Sequence, residues 1–198
     1  ILVAQDMPPI MVADHDRELA RRRGTGEPLR LCFISRIVPK KNLDFALQVL
    51  AKVKSPVIFN IYGPKEDSGY WRRCEQIIRR LPSHVLVEYH GSVDPIDVRR
   101  TLANNELLFF PTLGENYGHV IHEALSAGLP VLLSDQTPWG EVQEKEVGWQ
   151  LPLNNESAFV DIIEDVAGWD CEKHFKIRQK AIRFSQGVAE NSEILDAN

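Results

Sequence analysis

A chain of 198 residues with 43% hydrophobic content has room for one α/β domain with a substantial core and none for a second full domain. A net charge of −5 argues against a general nucleic-acid binder, so any anionic ligand must be met by local cations and helix N-termini. No apolar stretch approaches the ~18 residues that span a bilayer and no signal peptide is visible. The three widely separated cysteines, Cys32, Cys74 and Cys171, read as reduced thiols, and a cytoplasmic location is expected.

The chain opens on Ile1 within Ile-Leu-Val-Ala and reads as the severed end of a longer polypeptide. Residues 1–28, with Pro8-Pro9 and Gly24-Thr25-Gly26, form an entry segment with one short helix expected over Asp14 to Arg23. Arg21-Arg22-Arg23 is its basic cluster and reads as solvated. Leu29 to Ser35 is a near-continuous apolar run, as a strand buried on both faces requires. Leu43, Ala46, Leu47 and Leu50 then follow at helical spacing behind Asn42 as cap. The cycle repeats with a strand at Pro56 to Tyr62 and a helix through Trp71, Cys74, Ile78 and Leu81. A third strand at His84 to Tyr89 precedes a helix opened by Asp94-Pro95. Leu107 to Pro111 predicts a strand, Thr112 to Asn116 a turn, and Tyr117 to Ala127 a helix stopped by Gly128. Pro130 to Ser134 and Gly148 to Leu151 complete the strands. Helices follow at Glu156 to Val166 and Glu172 to Ser185, and residues 186–198 read as a polar, loosely held tail. Five or six strands alternating with helices predict an α/β, doubly wound parallel sheet, a Rossmann-like domain over residues 29–185.

Ligands of such a sheet bind at the carboxyl ends of its strands, and four stretches with chemistry fall there. After the first strand come Arg36, a planar fork for phosphate oxygens, and Lys41, a mobile point charge. A pair of solvent-facing cations is the other reading. After the second strand Gly63 lets the backbone approach a ligand, or makes a plain turn. After the third, His90-Gly91-Ser92-Val93 forms a loop whose backbone could read a flat base; His90 itself reads as a hydrogen-bonded, partly buried histidine. The fourth holds Glu115 and Glu123, eight apart, across the start of a helix. There the backbone N–H groups of Tyr117, Gly118 and His119 favour an anion. On that helix His119, His122, Glu123 and Ser126 share one stripe, which can equally be a solvated face. Two histidines without a third ligand are poor zinc spacing, so no metal is expected.

Together, Arg-x4-Lys after the first strand, the Gly after the second, His-Gly-x-Val after the third and Pro111-Thr112 before Glu-x7-Glu resemble the retaining glycosyltransferases of family 4, the group 1 glycosyltransferases. Glu123-Ala124-Leu125-Ser126-Ala127-Gly128-Leu129-Pro130-Val131 and the later Glu141 and Gly148 extend the resemblance over about residues 29 to 167. It implies the carboxyl-terminal, donor-binding half of a GT-B fold, acting on a nucleotide-diphosphate sugar without metal or other cofactor. By this resemblance Arg36 and Lys41 neutralise the donor diphosphate and Glu115 binds the transferred sugar. The backbone around Asn116, Tyr117, Gly118 and His119 holds the distal phosphate, and Glu123 accepts from the ribose hydroxyls. Gly63 gives close approach, and the base lies near Gly91 to Val93. Ser35, Asn42, Asn116 and Tyr117 depart from residues frequent in the family, which leaves the sugar pocket's shape open. The resemblance also implies a missing amino-terminal domain that binds the acceptor, with membrane contact only through that domain, and an inactive isolated fragment. Two rivals stay open: a nucleotide-sugar-binding module without transfer, and an epimerase or phosphorylase on the same fold.

Overall fold

The computed structural model describes residues 27–196, with side chains through 189, so the expected helix over Asp14 to Arg23 and the Arg21-Arg22-Arg23 cluster lie outside the described residues. Six strands form one sheet: β1 (Leu29–Ile34), β2 (Val57–Tyr62), β3 (Val85–Gly91), β4 (Leu107–Phe110), β5 (Val131–Ser134) and β6 (Gly148–Leu151). All pairings are parallel, in the order β3-β2-β1-β4-β5-β6. Between them and after them come α1 (Leu43–Leu50), α2 (Ser68–Ile78), α3 (Val98–Ala103), α4 (His119–Ser126), α5 (Glu141–Glu144), α6 (Glu156–Ala167) and α7 (Cys171–Asp196). This is a doubly wound α/β domain. Its strand order reverses between β1 and β4, and that reversal opens a crevice at their carboxyl ends.

The middle strands explain the firmness of that platform. Every residue of β4 and β5 is buried, which fits their unbroken apolar runs. Phe33, Phe59, Phe109, Phe110 and Phe159 are fully buried, and Phe109 meets Phe59 and Phe159 at ring separations of 6.3 and 5.9 Å. Each such ring contributes about 1.5–3 kcal/mol by leaving water. The three cysteines are free; burial pushes the Cys74 thiol up to about 12, with the Asp44 charge adding to it.

Several boundaries differ from expectation for local reasons. Asn42 does not cap α1 through its side chain; it takes the left-handed conformation (φ 60°), which Asn tolerates, and turns the chain out of a 3-10 turn at Pro39–Lys41. Its Nδ2 instead donates to the Pro111 carbonyl at 2.9 Å, joining the loop after β1 to the end of β4. Asp94-Pro95 opens a 3-10 turn at Pro95–Asp97 before α3 begins. The helix of the Glu-x7-Glu run starts at His119, two residues later than expected, because Gly118 has φ 80° and stands as its N-cap. Its C-terminus closes as the Gly128 signal implies: Leu129 N–H donates to Ala124 O and Gly128 N–H to Leu125 O. The four-residue α5 was not expected, and α7 continues as helix past Ser185 to Asp196.

α7 is anchored by a buried cation. Arg178 is 5% exposed, and its guanidinium donates to the Asn105 and Ala103 carbonyls at 2.8 and 2.9 Å, closing the carboxyl end of α3. Burial brings its pKa down to about 10, opposed by Glu106 and Cys32. Among the described residues no helix is long and apolar enough to cross a membrane.

Candidate functional site

The crevice at the strand reversal is a cleft of about 220 Å³. Arg36 and Gly63 from the loops after β1 and β2, Val93 after β3, and Val120 and Glu123 on α4 border it. Four of the residues expected at the site therefore meet around one space: Arg36, Gly63, Val93 and Glu123. Gly63 is held at φ 127°, where a Cβ would lie 1.8 Å from the Ser35 carbonyl oxygen, so no larger residue fits this crossing of the two loops. Partial burial raises the Glu123 carboxyl above its ordinary value, opposed by His119 and His122.

Lys41 and Glu115 do not line that cleft. They form an ion pair with each other across the gap between the loops after β1 and β4, and their side chains are only 12% and 19% exposed. The Lys41 ammonium also lies 5.2 Å from the centre of the Phe110 ring. Arg36 is paired too, with Glu66 at 3.2 Å, but both side chains are open to water at 61% and 43%. Each of the two cations is thus held by a carboxylate. An anionic ligand competes with Glu115 for Lys41, whereas Arg36 bonds Glu66 through Nη1 alone, in an exposed pair worth only about 0–1 kcal/mol.

The turn between β4 and α4 is shaped by buried hydroxyls. Thr112 Oγ1 donates toward the Lys40 carbonyl at 3.1 Å and accepts from the Gly114 N–H at 3.3 Å, while Ser134 Oγ donates to the Thr112 carbonyl. Asn116, Tyr117 and His119 are exposed, with the Tyr117 and His119 rings 4.9 Å apart. Among the described residues the backbone N–H groups of Tyr117, Gly118 and His119 donate to no protein acceptor, as the first turn of a helix leaves them. The polar stripe on α4 is not uniformly solvated: His122 is half-buried and its Nε2 lies 3.3 Å from the Ser185 carbonyl of α7. His90 shares a 2.9 Å hydrogen bond with Asn60 Oδ1 and stacks on Tyr62 at 4.7 Å, outside the cleft lining. Among the described residues no group of three or more His, Cys, Asp or Glu is arranged to hold a metal ion.

Sequence reasoning missed Glu66, Gln136 and Trp139. Glu66 reaches Arg36 across the loops after β1 and β2. Gln136 accepts from the Glu115 N–H at 3.0 Å, and the Trp139 indole donates to the Tyr117 carbonyl. None lies on a periodic element near its partner in sequence; the one available signal was an aromatic in the loop Thr137-Pro138-Trp139-Gly140. Val120 of α4, not singled out in the sequence, also borders the cleft.

A model of the family described as Glycosyl transferases group 1 matches residues 28–168. The O-antigen chain mannosyltransferase B of Escherichia coli is 28% identical over 116 residues, which is 56% of this chain and 29% of that protein. Among solved structures, Anabaena Alr3699/HepE in complex with UDP aligns with a TM-score of 0.74 at 21% identity, covering 93% of this chain and 52% of its own. WaaG, a glycosyltransferase involved in lipopolysaccharide biosynthesis, aligns with a TM-score of 0.68 at 16% identity, covering 86% of this chain and 46% of its own. The chain thus spans less than a third of the mannosyltransferase and about half of these two structures, whose likeness is one of fold. The family match runs from just before β1 to just past α6 and takes in the whole sheet, and on it this chain belongs to the group 1 glycosyl transferases.

Proposed function

We propose that this chain is the donor-binding half of a retaining GT-B glycosyltransferase that transfers a hexose-type sugar from a nucleotide-diphosphate sugar to an acceptor hydroxyl. The observation that carries the reading is the convergence of Arg36, Gly63, Val93 and Glu123 on one cleft at the strand reversal, with Lys41 and Glu115 paired on its flank. UDP and UDP-glucose bound in Alr3699/HepE support the ligand class. Arg36 and Lys41 take the donor diphosphate, Lys41 leaving Glu115, and stabilise the charge that grows on it as the sugar departs. Glu123, an acceptor-only carboxylate, receives the ribose hydroxyls; Glu115, released by Lys41, receives those of the sugar. The base lies against Val93, and the N–H groups of Tyr117, Gly118 and His119 after Asn116 meet the distal phosphate.

The charge supplied by Arg36, Lys41 and the α4 N-terminus is sufficient in this reading, so no metal or cofactor takes part. Titrations with chelator and with added magnesium or manganese test that, and a large metal-dependent gain overturns it. The acceptor is held by a second, amino-terminal α/β domain, because transfer needs the hydroxyl placed against the anomeric carbon in a cleft shielded from water. The 198 residues alone should show at most slow donor hydrolysis. Free thiols at all three cysteines accord with action in the cytoplasm. Any membrane contact belongs to the second domain, and nucleic acid is no partner.

Calorimetry against uridine, guanosine and adenosine diphosphates and their sugars tests the reading. One series should bind, and Glu123→Ala should weaken diphosphate and nucleotide sugar alike by about 1–3 kcal/mol. Silence for every ligand at millimolar concentration sinks it.

A further inference from the structure

The turn that opens α4 is braced from outside the cleft. Trp139 lies between β5 and α5, is 6% exposed, and donates its indole N–H to the Tyr117 carbonyl. Two residues before Tyr117, the Glu115 N–H donates to the Gln136 carbonyl at 3.0 Å, so one short segment straps the turn at two points. The indole ring meets Tyr117 edge-on at 5.8 Å, His122 of α4 at 6.3 Å and Phe184 of α7 at 6.4 Å. A buried indole keeps its N–H satisfied, and here the Tyr117 carbonyl is the partner that fixes its orientation.

That carbonyl shares a peptide plane with the Gly118 N–H. The peptide is trans, so the two groups point in opposite directions, and holding the oxygen aims the hydrogen. Gly118 needs this control. With φ 80° and no side chain, it sits where the backbone has freedom to rotate, and its N–H is the first of the helix start. Trp139 holds the oxygen toward its indole; the Gly118 N–H on the other side of the peptide therefore points away from Trp139.

We propose that Trp139 is a positioning residue for phosphate recognition: through its bond to the Tyr117 carbonyl it aims the Gly118 N–H at the distal phosphate of a nucleoside diphosphate. The proposal rests on the donor-binding reading of the cleft. It adds that selectivity for a diphosphate over a monophosphate is set partly by a residue that touches neither.

The test titrates uridine, guanosine and adenosine diphosphates, and the corresponding monophosphates, into the 198-residue chain and into Trp139→Phe, which keeps an aromatic ring and removes the donor. Loss of one neutral hydrogen bond should weaken the diphosphate about fivefold and leave the monophosphate within about twofold. Phe184→Leu, which loosens the packing and leaves the indole N–H in place, should preserve the ratio between the two ligands. In the unsubstituted chain the Gly118 amide resonance should move on adding the diphosphate and stay still with the monophosphate. Equal weakening of both ligands by Trp139→Phe, or a Gly118 amide indifferent to the diphosphate, overturns the proposal while the cleft keeps its function. Silence of the unsubstituted chain toward all three diphosphates overturns both.

Discussion

Along the β1 and β2 side of the cleft the loops are tied main chain to main chain: Ser35 N–H to Tyr62 O at 3.0 Å, Ile37 N–H to Pro64 O at 2.9 Å, and Gly63 N–H to Gly91 O at 2.7 Å. The turn after β4 has main-chain ties as well, Leu113 N–H to Lys40 O at 2.8 Å and Glu115 N–H to Gln136 O at 3.0 Å, but adds four from the side chains of Asn42, Thr112, Ser134 and Trp139, each bonded to a carbonyl. Main-chain ties are indifferent to side-chain identity except where a Cβ does not fit or φ is positive, so that wall is robust apart from Gly63 and, less severely, Gly91. A wall hung on side chains can be adjusted residue by residue, and it is the wall that would face the sugar.

The sharpest way to break this contrast is Gly63→Ala. A Cβ 1.8 Å from the Ser35 oxygen, at a φ that alanine avoids, should cost roughly 3 kcal/mol or more and abolish nucleotide binding. Urea unfolding measures it, and an unchanged midpoint would show that the loop crossing yields. Thr112→Val keeps the shape of a fully buried side chain but removes its bonds to Lys40 and Gly114. It should destabilise by about 1–2 kcal/mol and loosen only the β4 turn, so hydrogen exchange ought to rise at the bonded amides 113–115 and not at those of 63–67. Exchange rising equally on both sides would erase the distinction between the walls.

Smaller effects sharpen it. Glu115→Gln releases Lys41 from its ion pair, so free nucleoside diphosphate should bind about threefold tighter while the extra affinity for the nucleotide sugar disappears. Weaker binding of the free diphosphate would mean that Glu115 orients Lys41 and does not compete for it. The last effect is one of pH. Because burial holds the Glu123 carboxyl above its ordinary value, against His119 and His122, its ionised form is lost at a higher pH than for a solvated glutamate. Diphosphate affinity should therefore fall as pH drops through that raised pKa, and Glu123→Gln should flatten this acid limb; a limb that persists in the variant belongs to another group.

Strand positions were legible to within a residue or two because β1, β2, β4 and β5 are apolar runs that have no other place to go. Arg36, Gly63, Val93 and Glu123 were brought to one cleft by a rule of topology, since each follows a strand's carboxyl end or starts the next helix. Asn42 was placed at the N-cap of α1, where it stands, but its left-handed turn and the use of its side chain on the distant Pro111 carbonyl were not readable, because a cap and a left-handed corner use the same residue type. The pairing of Lys41 with Glu115 and of Arg36 with Glu66 depends on loops 74 and 30 residues apart, a separation that no periodicity encodes. The aromatic Trp139 stood out in its loop, but its role was hidden for the same reason: its partner is a carbonyl, and every residue has one.

Arg178 carries a consequence for where this unit can be cut. The family match ends at residue 168, yet the guanidinium that satisfies the last carbonyls of α3 lies beyond it on α7. A chain trimmed to the matched stretch would leave the Ala103 and Asn105 oxygens without their donor. It would also take the Phe184 ring from Trp139 and the Ser185 carbonyl from His122, and so unbrace the turn above the cleft. Kinship and mechanical self-sufficiency have different borders in this chain, and the second of them runs through α7.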